Sequence, residues 1–571
     1  MTDTPMPDAP LPDAPVLLIE GLQVALPPDA DRPHAIERLD LRIDAGRTLC
    51  VVGESGSGKS VLATTVMGLL AKGLQVSQGR VVLAGETLVD GARSVSESRW
   101  RALRGQVMGM VFQEPMTALN PVLSCGEQLD ELLRTHTRWG AAERKARVMA
   151  LLQQVRLPDP PRIWASHPHQ LSGGQRQRIV IAMAMLLKPR LLICDEPTTA
   201  LDVTTQAEIL RLIDDLQAQH GTAVLFITHD MGVVAEIADE VLVMHRGRQV
   251  ERGPAVQVLQ QPREAYTREL LAAVPGMVPP PPRTLLKGPP LLQGRQVAKT
   301  YVRRDWLGRA RPNTALHGAD LQVGPGETVG VVGESGSGKS TLARCLIRLI
   351  DPSAGEIHWA DTPVHALNER RLRPLRSRVQ VVFQDPNRSL NPRRTVGDSL
   401  VEGAMNFGMD ARQAWRTAEE LMDRIQLPRQ ALQRYPHQFS GGQRQRLAIA
   451  RAVACQPRVL VADEAVSALD VSVQAQILDL LREIQADLGL GILFITHDLR
   501  VAAQLCDRVV VMSQGRIVEA GPTAEVFAAP THDYTRRLLA AAPQGLAAAP
   551  GSGMPAAAPL DAPVAVLAAA A

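Results

Sequence analysis

GESGSGKS occupies Gly53–Ser60, and the same eight residues return unchanged at Gly333–Ser340. Each copy fits G-x-x-x-x-G-K-[ST]. An apolar run precedes it (Leu49–Val52; Val329–Val332) and a helix-like run follows, the setting that separates a P-loop from a chance match. Gly53, Gly56 and Gly58, like Gly333, Gly336 and Gly338, allow the backbone to turn its N–H groups toward phosphate oxygens, in conformations that residues with a Cβ resist. Ser55 and Ser335 complete the two loops, and the positive end of the following helix adds a favourable field for anions. Lys59 and Lys339 are spaced to reach the β- and γ-phosphates, and the hydroxyls of Ser60 and Ser340 to ligate Mg²⁺. One chain therefore carries two nucleotide sites.

Outward from the octapeptides, the two halves keep register. Gly53 and Gly333 stand 280 positions apart and Gln113 and Gln384 271 apart, while Ser172–Ser440, Asp195–Asp463, His229–His497 and Tyr266–Tyr534 are all 268 apart. The first copy thus holds 12 extra residues between P-loop and LSGGQ segment, where loops tolerate insertion. Each half then alternates short apolar strands with helices. LLIC leads into Asp195, a helix follows with Ile209, Leu212, Ile213 and Leu216 on one face, and AVLFIT leads into His229. The second half repeats this with VLVA, then Ile477, Leu480, Leu481 and Ile484, then ILFIT. That is the rhythm of a parallel sheet covered by helices.

Residues 120–188 and 391–456 show helical periodicity without such strands and read as an inserted helical lobe. The proline-rich stretch between the halves favours extended, semi-rigid backbone, and the Ala/Pro/Gly-rich end reads as a disordered tail. The expected division is a disordered N-terminus 1–15, domains 16–275 and 291–542, a linker 276–290 and a tail 543–571.

Lys+Arg 62 against Asp+Glu 59 leaves a formal charge of +3, so no global charge points to nucleic acid or an anionic membrane. The Arg-rich run Glu369–Arg378 has no interleaved aromatics and reads as solvated surface. Six scattered cysteines, none in a C-x-x-C pair, argue against zinc, iron–sulfur or a disulfide framework and fit a reducing cytosol. The first fifteen residues lack the basic segment and apolar core of a signal peptide. No apolar run approaches the roughly 18 to 20 residues of a membrane span, so membrane contact is expected only through partners.

The pairs Asp195–Glu196 and Asp463–Glu464 follow directly on apolar strands, which places them at strand ends, where sites form in α/β sheets. Beside a P-loop, the first acid holds the Mg²⁺ shell and the second orients and deprotonates the attacking water.

At this point the chain resembles the ATP-binding cassette (ABC) ATPases, because LSGGQ (Leu171–Gln175) and FSGGQ (Phe439–Gln443) are similar to that family's signature. The resemblance runs from about Val16 to Pro275 and from Leu291 to Pro543. It implies an α/β fold of two P-loop NTPase domains, each with a RecA-like parallel core, an antiparallel β subdomain and the inserted helical lobe. It also implies that the signature of one half faces the nucleotide of the other. Site one would then combine Lys59, Ser60, Gln113, Asp195, Glu196 and His229 with Ser440, Gly441, Gly442 and Gln443. Site two would combine Lys339, Ser340, Gln384, Asp463, Glu464 and His497 with Ser172, Gly173, Gly174 and Gln175. By the same resemblance Gln113 and Gln384 touch Mg²⁺ and water, His229 and His497 contact the γ-phosphate, and Asp202 and Asp470 cross the dimer interface.

Two places depart from the family pattern. The second copy reads DEAVSALD where the first reads DEPTTALD, so Ala465 stands where the first half has Pro197, with both acids kept. Tyr301 fits the family's adenine-stacking aromatic, but the equivalent stretch of the first half offers Leu26. Stacking is worth about 1 to 3 kcal/mol, so weaker binding is expected at site one unless His34 supplies the ring instead.

Phe112–Pro121 (FQEPMTALNP) and Phe383–Pro392 (FQDPNRSLNP) look like segments of the ATPases serving di- and oligopeptide, glutathione and nickel importers. So do the boxes Pro262–Tyr266–Thr267–Arg268 and Pro530–Tyr534–Thr535–Arg536. The resemblance therefore implies an ATP- and Mg²⁺-dependent motor on the cytoplasmic face of the inner membrane. Its partners would be two transmembrane permease subunits and a periplasmic substrate-binding protein, with no nucleic acid. A nickel or other small-solute importer is the neighbouring alternative. A twin-cassette protein acting on ribosomes would bring a long charged linker, and a DNA-repair cassette zinc-type cysteine pairs or a long coiled coil; neither is present. A pseudo-ATPase is disfavoured because both halves keep Lys, Gln, Asp, Glu and His.

Overall fold

The structure, a computed structural model, describes residues 14–542 apart from 31, 114, 200, 305–309 and 468. The ends expected to be disordered, 1–15 and 543–571, lie outside the described residues except for Ala14 and Pro15.

Each half is built around one five-residue strand, Thr48–Val52 or Thr328–Val332, with all five residues buried. Burial on both faces is what a parallel sheet covered by helices imposes, hence the unbroken apolar runs seen in the sequence. In the first half the parallel order is Met108–Val111, Leu191–Asp195, Ala223–Ile227, Thr48–Val52 and Glu240–His245, closed by the antiparallel Arg248–Pro254. The second half repeats it with Val379–Val382, Val459–Asp463, Gly491–Ile495, Thr328–Val332 and Arg508–Ser513, closed by Arg516–Pro522. The P-loop strand thus sits between strands far from it in sequence, and its loop opens at the carboxyl ends of the parallel strands, together with the loops after Asp195 and Ile227.

The antiparallel layer implied by the resemblance is present in both halves. In the first it comprises Leu17–Ala25, His34–Ile43, Gln75–Leu83, Glu86–Asp90 and Arg93–Ser94, and the pairing of Arg38 with Arg248 fuses it to the core as an 11-stranded sheet. In the second, a four-stranded sheet stays separate. The junction is nevertheless the same backbone bond: Glu37 N–H to Gly247 O at 2.8 Å, and His317 N–H to Gly515 O at 3.0 Å.

Helices Cys125–His136, Ala141–Gln154, Pro160–Ala165 and Gly173–Met185 fill the expected lobe of the first half, and Val396–Asn406, Ala411–Arg424 and Gly441–Val453 that of the second. Ser124 and Glu127 form a capping box that starts the first of these helices, and Leu129, Leu133, Val148 and Leu152 bury its inner face. Among the described residues, no helix is long and apolar enough to cross a membrane.

The segment 276–290 has no assigned strand or helix and runs along the second half. Arg283 pairs with Asp507 at 2.7 Å and donates to Gln485 at 2.6 Å; Gln504 donates to the carbonyls of Gly276 and Val278 at 2.9 and 2.8 Å. Met277 packs against the second half's core. Proline stiffens this connection, but side chains fix its course.

Candidate nucleotide sites at the seam

Both P-loops have the backbone that an anion cradle needs. Gly53 and Gly333 each sit at φ 145°, and a Cβ there would lie 2.0 Å from Met244 O or 2.2 Å from Met512 O, so only glycine fits. Gly58 and Gly338 start the helices Lys59–Val66 and Lys339–Leu346 from left-handed conformations. The Lys59 ammonium, in a residue 6% exposed, donates to Gly53 O and Glu54 O at 2.6 and 2.9 Å. Lys339 does the same to Gly333 O and Glu334 O at 2.7 and 2.8 Å. Burial lowers the pKa of both lysines, opposed by nearby carboxylates, among them the other half's Asp470 for Lys59 and Asp202 for Lys339.

Ser60 Oγ donates to Asp195 Oδ1 at 3.2 Å, and Ser340 Oγ to Asp463 Oδ1 at 3.0 Å. A hydroxyl and a carboxylate converging at the foot of a phosphate cradle form the hard-oxygen set that suits Mg²⁺, so these residues fit that ion. Burial raises the pKa of both aspartates.

The second acids, Glu196 and Glu464, stand at φ 49° and 52°, left-handed positions that cost a non-glycine residue about 1 to 3 kcal/mol. Each is pinned there by its own N–H, bonded to Ile227 O at 2.9 Å or Ile495 O at 3.0 Å. Ala465 therefore reproduces the backbone that Pro197 accompanies. Gln113 Nε2 donates to Glu196 Oε2 and Gln384 Nε2 to Glu464 Oε2, both at 2.9 Å. His229 Nδ1 lies 3.3 Å from Glu196, and His497 Nδ1 lies 3.7 Å from Glu464. Burial pushes the Glu196 carboxyl up, but the hydrogen bond and charge of His229 prevail and hold it down to about 2. Glu464 is lowered on the same balance, with His497 as its partner. One contact separates the sites: Thr199 donates to the Glu196 carboxylate at 3.0 Å, whereas Ser467 donates to the Glu464 backbone carbonyl.

The halves meet at these loops. Ser472 Oγ donates to Glu54 Oε1 at 2.5 Å, and its counterpart Thr204 donates to Glu334 Oε1 at 2.9 Å. Ser335 N–H donates to Asp202 Oδ2 at 3.4 Å, and Val203 is buried in the second half's core. Asp202 and Asp470, expected at the interface, thus lead into helices whose first turns face the opposite P-loop. The signature segments are occupied locally among the described residues. Ser172 and Ser440 cap their own helices through reciprocal bonds with Gln175 and Gln443, at 3.0 to 3.3 Å. Gly173 and Gly441 leave open space, while a Cβ at Gly174 or Gly442 would press on Thr205 or Val473, so these second glycines permit close helix packing.

Of the two residues compared as candidates for adenine stacking, Tyr301 is 37% exposed on its strand, whereas Leu26 is partly buried against the first half's core. His34 begins the next strand, and Arg32, unremarked in the sequence, donates to Gly56 O in the first P-loop. Glu54 and Glu334 occupy variable positions of the motif, and their identity in both copies is the one sequence signal of their cross-half contacts. Tyr266 and Tyr534, which sequence marks by their shared offset and their boxes, accept from Glu54 N–H at 3.3 Å and Glu334 N–H at 3.0 Å.

Fold and site together define a P-loop transport ATPase with two cassettes, and the chain belongs to the ABC transporter family, whose pattern matches residues 36–199 and 316–467. The C-terminal region of oligopeptide/dipeptide transporters matches at 250–300 and 518–553, which contain the two P-loop tyrosines. The glutathione import ATP-binding protein GsiA of Escherichia coli strain K12 is 45% identical over 562 residues, spanning 92% of this chain and 89% of the relative. The protein of the same description from Shigella boydii serotype 4 (strain Sb227) gives the same figures. Among solved structures, a dimeric post-hydrolysis ATP-binding cassette bound to ADP and Pi is 28% identical, covers 41% of this chain and 98% of its own, and has a TM-score of 0.37.

Proposed function

We propose that this protein is the motor subunit of a bacterial ABC importer for di- or oligopeptides or glutathione, with two ATP sites completed across the seam of its own two cassettes. Residues 16–275 and 291–542 form the cassettes, joined by 276–290. The observation that carries this is the reciprocal contact of each P-loop with the other half: Glu54 with Ser472, and Glu334 with Thr204. Each P-loop therefore has the opposite cassette on one side of it.

In each site Lys59 or Lys339 exchanges its carbonyl partners for the β- and γ-phosphates, and the P-loop N–H groups hold the remaining oxygens. Ser60, Gln113 and Asp195, or Ser340, Gln384 and Asp463, would hold Mg²⁺, which when bound neutralises charge on the β- and γ-oxygens. Glu196 and Glu464, ionised at neutral pH, orient the attacking water and accept its proton, while His229 and His497 fix those carboxylates and meet the γ-phosphate. On closure, Ser440 with Gly441 and Gly442, or Ser172 with Gly173 and Gly174, brings a hydroxyl and backbone N–H groups to the opposite γ-phosphate, where they stabilise transition-state charge. Tyr301 stacks on adenine at the second site.

Closure would turn two permease subunits at the inner face of the cell membrane, fed by a periplasmic binding protein. Support for import comes from the glutathione import relatives and from the tyrosine-bearing C-terminal regions placed against both P-loops. The test replaces Glu196 and Glu464 together by Gln in the chain co-purified with its permease. ATP binding should persist while hydrolysis falls at least about 100-fold; undiminished hydrolysis would sink the mechanism, and failure to retain any permease would sink the importer.

A further inference from the structure

The two histidine-bearing turns are joined by one guanidinium. Arg500 lies three residues after His497, on the helix Leu499–Leu505, and is 9% exposed. It donates from Nη1 and Nη2 to both carboxylate oxygens of Asp230, at 2.9 and 3.0 Å. It also reaches its own half's Asp498 from Nε and Nη2, at 3.3 and 3.4 Å. Asp230 and Asp498 directly follow His229 and His497, and each caps the helix that its turn begins. The same seam cavity is lined by His229, His497, Gln206 and Gln474.

The arrangement is one-sided. At the 268-residue offset the first half has Gly232 in place of Arg500. Two guanidinium groups at this point would repel, and a glycine on one side leaves a single cation to serve both aspartates. Two different cassettes in one chain permit that asymmetry; a symmetric pair of identical cassettes would present either two cations or none.

We propose that Arg500 is a positioning residue that couples the two ATP sites, holding the His229 and His497 turns as one unit so that closure of one site favours closure of the other. The inference rests on the assignment of these histidines to the two nucleotide sites. A rotation of the His229 turn toward bound nucleotide drags Asp230, and the bidentate pair passes the movement to Arg500 and Asp498, hence to His497. A lysine would keep the charge but could not grip two carboxylates at once.

The test is binding of a fluorescent ATP analogue to the full-length chain carrying E196Q and E464Q, where hydrolysis does not interfere. With Arg500 intact, the two sites should fill with a Hill coefficient well above 1, approaching about 2. R500K, and separately D230N, should bring it to about 1 while each site's own affinity changes by no more than about twofold. D230N covers the case in which an Arg500 variant does not fold, and an unchanged melting temperature in R500K excludes a merely structural effect. An unaltered Hill coefficient in both variants, or a value near 1 with Arg500 in place, overturns the proposal. H229A with H497A in the otherwise native chain separates the two levels: if hydrolysis survives that pair, the assignment of the histidines fails, whereas loss of hydrolysis with unaltered binding cooperativity in R500K removes only the coupling role.

Discussion

Replacing Tyr534 by Phe isolates what the C-terminal region contributes to the P-loop. The Tyr534 hydroxyl accepts the N–H of Glu334 at 3.0 Å, the ring is 8% exposed, and Phe keeps that packing. What is lost is one hydrogen bond on a part-buried backbone donor, worth about 1 kcal/mol where water can partly replace the partner. If the bond serves to hold the loop in its phosphate-binding form, that energy appears as about fivefold weaker ATP binding at the second site. The longer bond from Glu54 to Tyr266, 3.3 Å, should give Y266F a smaller loss, about twofold. Each site is read alone by titrating ATP calorimetrically with the other P-loop lysine replaced by Ala, K59A for the second site and K339A for the first. A melting temperature lowered by no more than about 2 to 4 °C checks that Y534F remains folded. Unchanged ATP affinity at the second site, or an equal loss at both sites, would refute the idea that this tyrosine orders its own loop.

Tyr301→Ala should weaken ATP at the second site by about 5- to 150-fold, the worth of one stacked ring, and leave the first site unchanged; the same single-site titrations decide it. Gly53→Ala should destabilise the first cassette by about 3 kcal/mol, because φ 145° and a Cβ 2.0 Å from Met244 O force the loop to move, and denaturant unfolding measures the loss. Burial raises the pKa of Asp230, but Arg500 prevails and holds it down to about 2, below the unfolded value of about 3.9. Its contribution is therefore complete above about pH 4 and lost as pH falls toward 2, so D230N should flatten the acid limb of a stability profile without changing its slope between pH 5 and 8.

The parts of this molecule that a sequence discloses are those encoded locally. The P-loop follows from glycine spacing between strand and helix, and the parallel core from short apolar runs ending in Asp195, Asp463 or the FITHD turns. The inserted lobe follows from helical periodicity. What stayed hidden depends on how distant segments meet. Nothing in the local chemistry of Ser472 or Thr204 announces a partner on the opposite P-loop. Arg283 is an ordinary surface residue until Asp507 and Gln485 appear beside it. Arg500 belongs to a helix start, and its role arises only when the seam brings Asp230 within 3 Å. The left-handed backbone of Glu196 and Glu464 was equally silent, since no residue preference marks it. Arg32 on the P-loop rim is equally unmarked in sequence, because only the folded chain brings the segment between the first two strands to Gly56.

The most direct measurement is an experimental structure of the E196Q/E464Q chain with Mg²⁺ and ATP. If each site is completed by the opposite cassette, two ATP molecules are bound, the one on Lys59 met at its γ-phosphate by Ser440 and Gly442, and the one on Lys339 met by Ser172 and Gly174. Two nucleotides each contacted only by the cassette that holds its P-loop, with the signatures turned elsewhere, would contradict it.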